Sequence, residues 1–286
     1  MWWTNLVLIE RLQMPNFTFL AQNNEQDNYI RQAELLAMSI RRTNPDSKIC
    51  LITNEDAEWI KVDLFDDIVP IPWEDKADEH KWKVQNRWKI YHACPYEETF
   101  VLDTDMIVCH DLSNWWTAMK NYDVFYTINV TDYKKSKINS SYYRKMFIQN
   151  QLPDIYVALH YFKKSTFAKL FYTTLETVMK NWEKYYEEVA PKKKQSWLSV
   201  DVATAITIRL LGCENQVTNK KLQFPTFVHM KPYAQTWETQ TKKWQDRISC
   251  FVDEQKNLKI GGWTQDTVFH YTEKDFTEKF YGRYSN

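Results

Sequence analysis

The stretch FVLDTDMIV, residues 100–108, sets two carboxylates one residue apart between two apolar runs. Phe100, Val101 and Leu102 read as a strand leaving a core, and Met106, Ile107 and Val108 as chain running back into one. Side chains two apart on extended backbone point the same way, so Asp103 and Asp105 can face one point. Hard oxygen ligands at that spacing suit Mg²⁺ or Mn²⁺. The plain structural alternative is a pair of turn-forming aspartates that cap the next element of the chain.

Upstream, strands and helices alternate. NFTFLAQ (16–22) and KICLIT (48–53) read as strands, and DIVPIP (67–72) as a short, proline-punctuated third. Between the first two, Ile30, Ala33, Ala37 and Ile40 recur at helical spacing until Asn44-Pro45. A helix at about 81–93, ended by Cys94-Pro95, leads into the strand TFVLD. This alternation predicts an α/β fold: a Rossmann-like, doubly wound, mostly parallel sheet flanked by helices. Ligands of such sheets gather at the carboxyl ends of the strands, where Asp103 and Asp105 fall.

Downstream the pattern is less regular. Ser113 is placed to cap a short helix, and DVFYTI (123–128) and IYVALHYF (155–162) read as strands. Ser165 begins a long helix with Phe167, Leu170, Phe171, Leu175, Val178, Met179 and Trp182 on one face. Ser199 and Gly212 bracket another, VDVATAITIRLL, and KKK at 192–194 reads as a solvated loop. Neither a repeat nor a low-complexity linker divides the chain, which predicts a single domain preceded by an N-terminal extension, residues 1–13.

Composition excludes several classes. The 286 residues carry 37 basic and 37 acidic side chains, without the basic excess of a nucleic-acid binder. No segment approaches the roughly 20 apolar residues of a membrane span. The start, MWWTNLVLIERLQ, is a poor secretory signal, so a soluble cytoplasmic protein is expected. Cysteines 50, 94, 109, 213 and 250 have no CxxC spacing and read as free thiols of a reducing compartment. In the same setting the N-x-S/T triplets at Asn16, Asn129 and Asn139 are chance matches. Only four glycines occur, at 212, 261, 262 and 282, so neither a Walker loop nor a GxGxxG loop can be built. Any phosphate must be held by side chains or a metal.

Three chemistries use such an aspartate pair: metal-assisted transfer from a nucleotide sugar, two-metal phosphoryl transfer, and haloacid-dehalogenase-type phosphatase chemistry. The last expects Thr or Val two residues after the second Asp and a later Gly-Asp; here Ile107 stands there and no Gly-Asp occurs. LDTDMIVCHDL, with its apolar strand, Asp-x-Asp and trailing hydrophobic run, resembles the glycosyltransferases of GT-A fold, especially the glycogenin and bacterial galactosyltransferase family. The likeness implies a GT-A-like, hexosyltransferase-like enzyme. Residues 14–112 would form a nucleotide-sugar-binding half and 113–286 an acceptor-binding half of the same domain. It further implies Mn²⁺ or Mg²⁺ on Asp103 and Asp105 around Thr104, a nucleoside diphosphate donor (a UDP-sugar first), retention of configuration, and a carbohydrate or protein acceptor.

Other positions are nominated by the same resemblance. In NRWKIY (86–91) the family carries a cation reaching the donor, which nominates Arg87, with Lys83 one turn before it. The first strand's end receives the base, nominating Ala21, Gln22, Asn23 and, for stacking, Tyr29. The third metal ligand is His270 in TVFHYTEK, with His229 in FVHMKPY as the competitor; Lys274 and Lys231 are the matching phosphate-gripping candidates. In SWLSVDVATAI (196–206), Asp201 matches an acidic residue beside the transferred sugar and is the candidate base should the reaction invert. Ala158 and His160 replace the family's Asn-x-Gly, a departure that bears on donor identity. Of the 13 tryptophans, Trp197, Trp237, Trp244 and Trp263 fall in the acceptor half and suit sugar rings. Two rivals stay open: a two-metal nucleotidyl- or phosphoryltransferase using Asp111 as third carboxylate, and a degenerate, purely carbohydrate-binding protein.

Overall fold

The apolar stretch that starts at Asn16 forms β1 (Asn16–Leu20), which leads into α1 (Tyr29–Thr43), β2 (Lys48–Ile52) and β3 (Asp67–Val69). The structure is a computed structural model and describes residues 14–73, 77, 83–138, 144–230, 248–271 and 273–284; the expected extension over 1–13 lies outside them. α1 begins where the Asn28 side chain accepts from the Arg31 amide (2.8 Å), and it stops at Asn44, just before Pro45. Its Ile30, Ala33, Leu36, Ala37 and Ile40 pack on Phe17 and Phe19 of β1.

The single helix expected at 81–93 is instead a tight 3₁₀ stretch, Val84–Lys89, followed by α2 (Ile90–Ala93). Lys83 has φ 45°, a left-handed backbone that no α-helix passes through, so the helical run cannot reach back beyond it. Next come β4 (Glu98–Leu102), β5 (Met106–Val108), α3 (Ser113–Met119), β6 (Val124–Thr127) and β7 (Asn129–Thr131). Ser113 is the first residue of α3 rather than its cap: Asp111 Oδ1 accepts from its amide (2.8 Å) and its hydroxyl (2.6 Å).

α4 (Lys145–Gln149), β8 (Tyr156–Lys163), α5 (Thr166–Lys180), α6 (Trp182–Val189), α7 (Val200–Leu211) and α8 (Glu214–Val217) come next. Ser165 caps α5, while Ser199 and Gly212 (φ 61°) bracket α7 as read from the sequence. The buried face of α5 is Ala168, Phe171, Tyr172, Leu175, Val178 and Met179; Leu170 is 53% exposed, and Trp182 belongs to α6 because α5 ends at Lys180. The chain closes with β9 (Thr226–Met230), β10 (Cys250–Val252), β11 (Leu258–Ile260), β12 (Trp263–Thr264), β13 (Val268–Tyr271) and α9 (Phe276–Tyr284).

The main sheet has the order β3-β2-β1-β4-β8-β6. β3, β2, β1 and β4 run parallel, and β8 is antiparallel to both β4 and β6. A second sheet, β5-β13-β9-β7, and a small β10-β11-β12 meander complete the described strands; neither was read from the sequence. β4 serves two cores: Phe100 and Leu102 join Phe17, Trp116 and Tyr161 on one face, and Val101 joins Phe162, Phe171 and Ile206 on the other. β5 carries Ile107 into a third core with Val228, Phe269 and Phe276.

His160 stands in β8, stacked on Tyr126 at 5.0 Å with its Nδ1 2.8 Å from the Val157 carbonyl. Burial lowers its pKa from 6.5 to about 4, so it is folded in as the neutral ring. The unfolded chain therefore binds the extra proton, and stability contributed by this group falls as pH drops from 6.5 towards 4, by up to about 3 kcal/mol. Denaturant titrations of wild type and His160→Phe across that window check this. The wild type should lose more stability than the variant on acidification, and parallel curves would refute it.

Candidate functional site

β1 continues to β2 on one side of the sheet and is flanked by β4 on the other, so the strand order reverses between β1 and β4. In open α/β sheets such a switch point leaves a crevice beyond the carboxyl ends. The β1–β4 register, Phe17 with Phe100 and Thr18 with Val101, brings Leu20 and Asp103 to that same end. A cavity of about 350 Å³ opens there.

The Asp-x-Asp is the passage from one sheet to the other. The Asp103 amide donates to the Ala158 carbonyl (2.9 Å), extending the β4–β8 pairing, and the Asp105 carbonyl accepts from the Tyr271 amide (3.1 Å), extending β5–β13. Three residues thus carry both anchors, with Thr104 between them. The register pairs His270 with Met106, next to Asp105, and His270 Nε2 stands 3.1 Å from Asp105 Oδ1. Ligand atoms of Asp103, Asp105 and His270 all lie within 4.8 Å of one another.

Two cations hold these acids. Arg87 Nη2 donates to Asp103 Oδ1, and Lys274 Nζ donates to Asp105 Oδ2. Burial would push the Asp105 carboxyl up, but Lys274 and His270 hold it well below the usual carboxylate range. Burial likewise works against the Lys274 ammonium, and the Asp105 charge more than reverses it, keeping the lysine above its ordinary value. Both groups of this pair are therefore charged. Lys274 also sits 5.2 Å from the centre of the Tyr29 ring, at the start of α1. Burial lifts the Tyr29 phenol, leaving a neutral ring on the wall.

Most of the residues nominated by the sequence meet in this cavity. Gln22 and Tyr29 line it from just after β1 and the start of α1, Lys83 and Arg87 from the stretch before α2, and Asp103, Thr104 and Asp105 from the Asp-x-Asp, with His270 and Lys274 against Asp105. Gln22 Oε1 accepts from Asn86 Nδ2 (2.8 Å), which ties the end of β1 to the 3₁₀ stretch bearing Arg87. Leu20 and Val84 add apolar walls that the sequence reading missed; each adjoins or nearly adjoins a nominated residue, the available signal.

Others do not reach it. Ala21 is fully buried, with its amide bound to the Ile52 carbonyl (3.0 Å). Asn23 turns away to accept from the Ile30 amide (3.1 Å), serving the approach to α1. Asp201 is absent from the cavity wall: Arg144 Nη1 (2.8 Å) and the Val157 amide (3.0 Å) occupy its two oxygens. His229 is not among the converging ligands but packs behind His270. Asp111 is spent on the start of α3, which removes the third carboxylate of the two-metal rival. Trp197 and Trp263 are exposed, at 44% and 47%; Lys231, Trp237 and Trp244 lie outside the described residues.

Two carboxylates and an imidazole converging in a cavity that also carries Lys83, Arg87 and Lys274 form a donor set that could hold a divalent metal ion. Arg87 and Lys274 hold the two carboxylates in place, and Asp105, kept well below the usual carboxylate range, has no proton to lose first.

No protein-family model matches this sequence, and neither does any curated protein. Solved structures do resemble it. The galactosyltransferase LgtC, in complex with donor and acceptor sugar analogs, aligns with a TM-score of 0.55 at 11% identity, over 95% of this chain and 96% of that one. Mouse xyloside xylosyltransferase 1 aligns at 0.49 and 10%, over 91% and 98%. The architecture read from the alternation of strands and helices, a parallel-rich sheet flanked by helices, is accordingly the GT-A fold that LgtC also has.

Proposed function

We propose that this chain is a metal-dependent glycosyltransferase that moves a sugar from a nucleoside diphosphate donor, a UDP-sugar first, to an acceptor hydroxyl of a carbohydrate or protein. The observation that carries the reading is the joining of the Asp103–Asp105–His270 cluster with Lys83, Arg87 and Lys274 in one cavity at the switch point. With so few glycines the chain has no phosphate loop, and this cavity supplies by side chains what such a loop supplies by backbone amides.

Asp103, Asp105 and His270 would hold the divalent ion, which when bound supplies a Lewis acid for the diphosphate oxygens. The rest of the wall has its own tasks. Tyr29 offers a ring face to the base, and Leu20 and Val84 add apolar wall to the cavity. Arg87 and Lys274 put positive charge where the diphosphate gains negative charge as the glycosidic bond breaks, and Lys83 stands on the same wall as Arg87. Preformed charges of this kind favour the transition state over the intact donor.

The stereochemical proposal is retention. An inverting reaction needs a carboxylate base facing the acceptor, and the candidate, Asp201, has both oxygens engaged by Arg144 and the Val157 amide. The only carboxylates on the described cavity wall are Asp103 and Asp105, which would hold the cation.

Asp103→Asn and Asp105→Asn should each lose Mn²⁺-dependent binding of nucleoside diphosphate by at least about tenfold. Both variants should still fold cooperatively, with Asp105→Asn the less stable of the two because it leaves Lys274 without its carboxylate partner. Calorimetric titration with and without Mn²⁺ measures this, and unchanged affinity in both variants would sink the metal-site assignment. Incubation with a panel of nucleotide sugars and Mn²⁺ should release nucleoside diphosphate from at least one donor. Sugar binding without release from any of them would instead favour a carbohydrate-binding protein. On the responsive donor, Arg87→Ala should lower kcat about 10²- to 10³-fold, as loss of one preorganised charge does elsewhere.

A further inference from the structure

β13 and β9 run parallel with His270 opposite His229, and the two imidazoles meet with their Nδ1 atoms 2.9 Å apart. Two ring nitrogens at that distance need one proton between them, one donating and one accepting. Both rings are buried, His229 to 7% and His270 to 5% exposure, so a mismatched pair would be costly. The other nitrogen of His270, Nε2, belongs to the cluster with Asp103 and Asp105. Without an ion that nitrogen faces Asp105 Oδ1 as a donor; with an ion bound it must present its lone pair instead, and the proton of His270 then sits on Nδ1. His229 Nδ1 must then be the acceptor, which puts the proton of neutral His229 on its own Nε2.

The His229 ring is held for that role. Phe227 meets it edge-on at 5.6 Å and Tyr156 at 6.0 Å, and the Tyr156 ring lies 3.9 Å from the Arg144 guanidinium. The walls are aromatic on both sides, and the register of two parallel strands fixes which nitrogen faces His270.

We propose that His229 is the positioning residue of the cation site: in the ion-loaded site it accepts from Nδ1–H of His270 and so holds the Nε2 lone pair towards the ion. This rests on the reading of Asp103, Asp105 and His270 as cation ligands. His229 itself is not one of the converging ligands. Its role is that of an outer partner, of the kind whose loss weakens metal affinity about 10- to 100-fold.

The test needs no turnover. Mn²⁺ binding to the full chain is measured by electron paramagnetic resonance and calorimetry, without donor, for wild type, His229→Leu and His229→Asn. The leucine variant should bind Mn²⁺ about 10- to 100-fold more weakly. The asparagine variant, whose Oδ1 falls near the lost Nδ1 and can accept the same proton, should recover most of the affinity. Nitrogen-15 spectra of the Mg²⁺-loaded wild type should show His270 protonated on Nδ1 and His229 on Nε2. This second measurement decides the matter even if His229→Leu fails to fold. Full affinity in His229→Leu, or His270 carrying its proton on Nε2 in the loaded protein, would overturn the positioning role and leave the ligand assignment standing. A wild type that binds no Mn²⁺ would overturn the ligand assignment and this role with it.

Discussion

Everything at the site depends on the chain changing sheets within three residues. The Asp103 amide is tied to the main sheet through Ala158, and the Asp105 carbonyl to the second sheet through Tyr271. Because those backbone groups are bonded on both sides, the carboxylates cannot drift apart unless a sheet gives way, and a lost buried backbone bond costs about 1–3 kcal/mol. The apolar residues around them are what make each sheet hold. Phe100, Leu102, Met106 and Val108 share one core, Val101 enters a second and Ile107 a third. Rigidity of this kind brings ligand groups together before any ligand arrives.

Convergence has an electrostatic consequence. Two carboxylates this close repel one another when both are ionised, and the fold answers with two cations. Arg87 comes from the 3₁₀ stretch before α2, and Lys274 from the turn before α9. Gln22 and Asn86 lock the Arg87 stretch to the end of β1, so the cation is placed by the same strand end that borders the cavity. A scarcity of glycine is thereby matched by a supply of fixed side-chain charge.

How far the sequence could be read depends on the range of the interactions. The Asp-x-Asp, the first strands and the capped helices α1, α5 and α7 are written in neighbouring residues, and their positions agree with the structure within a few residues. The failures are long-range or conformational. Nothing local marks Lys83 as left-handed, yet that one dihedral shortens the expected helix. The second sheet joins short strands from four separate regions, and β5 looked like a return to the first core. His229 and His270 competed for one role because each ends an apolar run. Their true relation, one ring behind the other, depends on a register between strands 41 residues apart.

Asp201 makes the same point with a constructive outcome. Its place in the first turn of α7 favours an acid for local reasons, and a site role was inherited by resemblance. What decides its task is Arg144, 57 residues away and almost fully buried, whose guanidinium lies against the rings of Phe147 and Tyr156 and pairs with Asp154 as well. Through the Val157 amide, Asp201 fixes the start of β8, and the next residue, Ala158, supplies the carbonyl that holds Asp103. The aromatic partner of Arg144, Tyr156, is also the wall against which His229 rests. One buried arginine therefore supports both sides of the ligand cluster: the strand behind Asp103, and the ring behind His270. The segment around Arg144 and Asp201 contributes by holding the Asp-x-Asp, not by adding another acid to the described cavity wall.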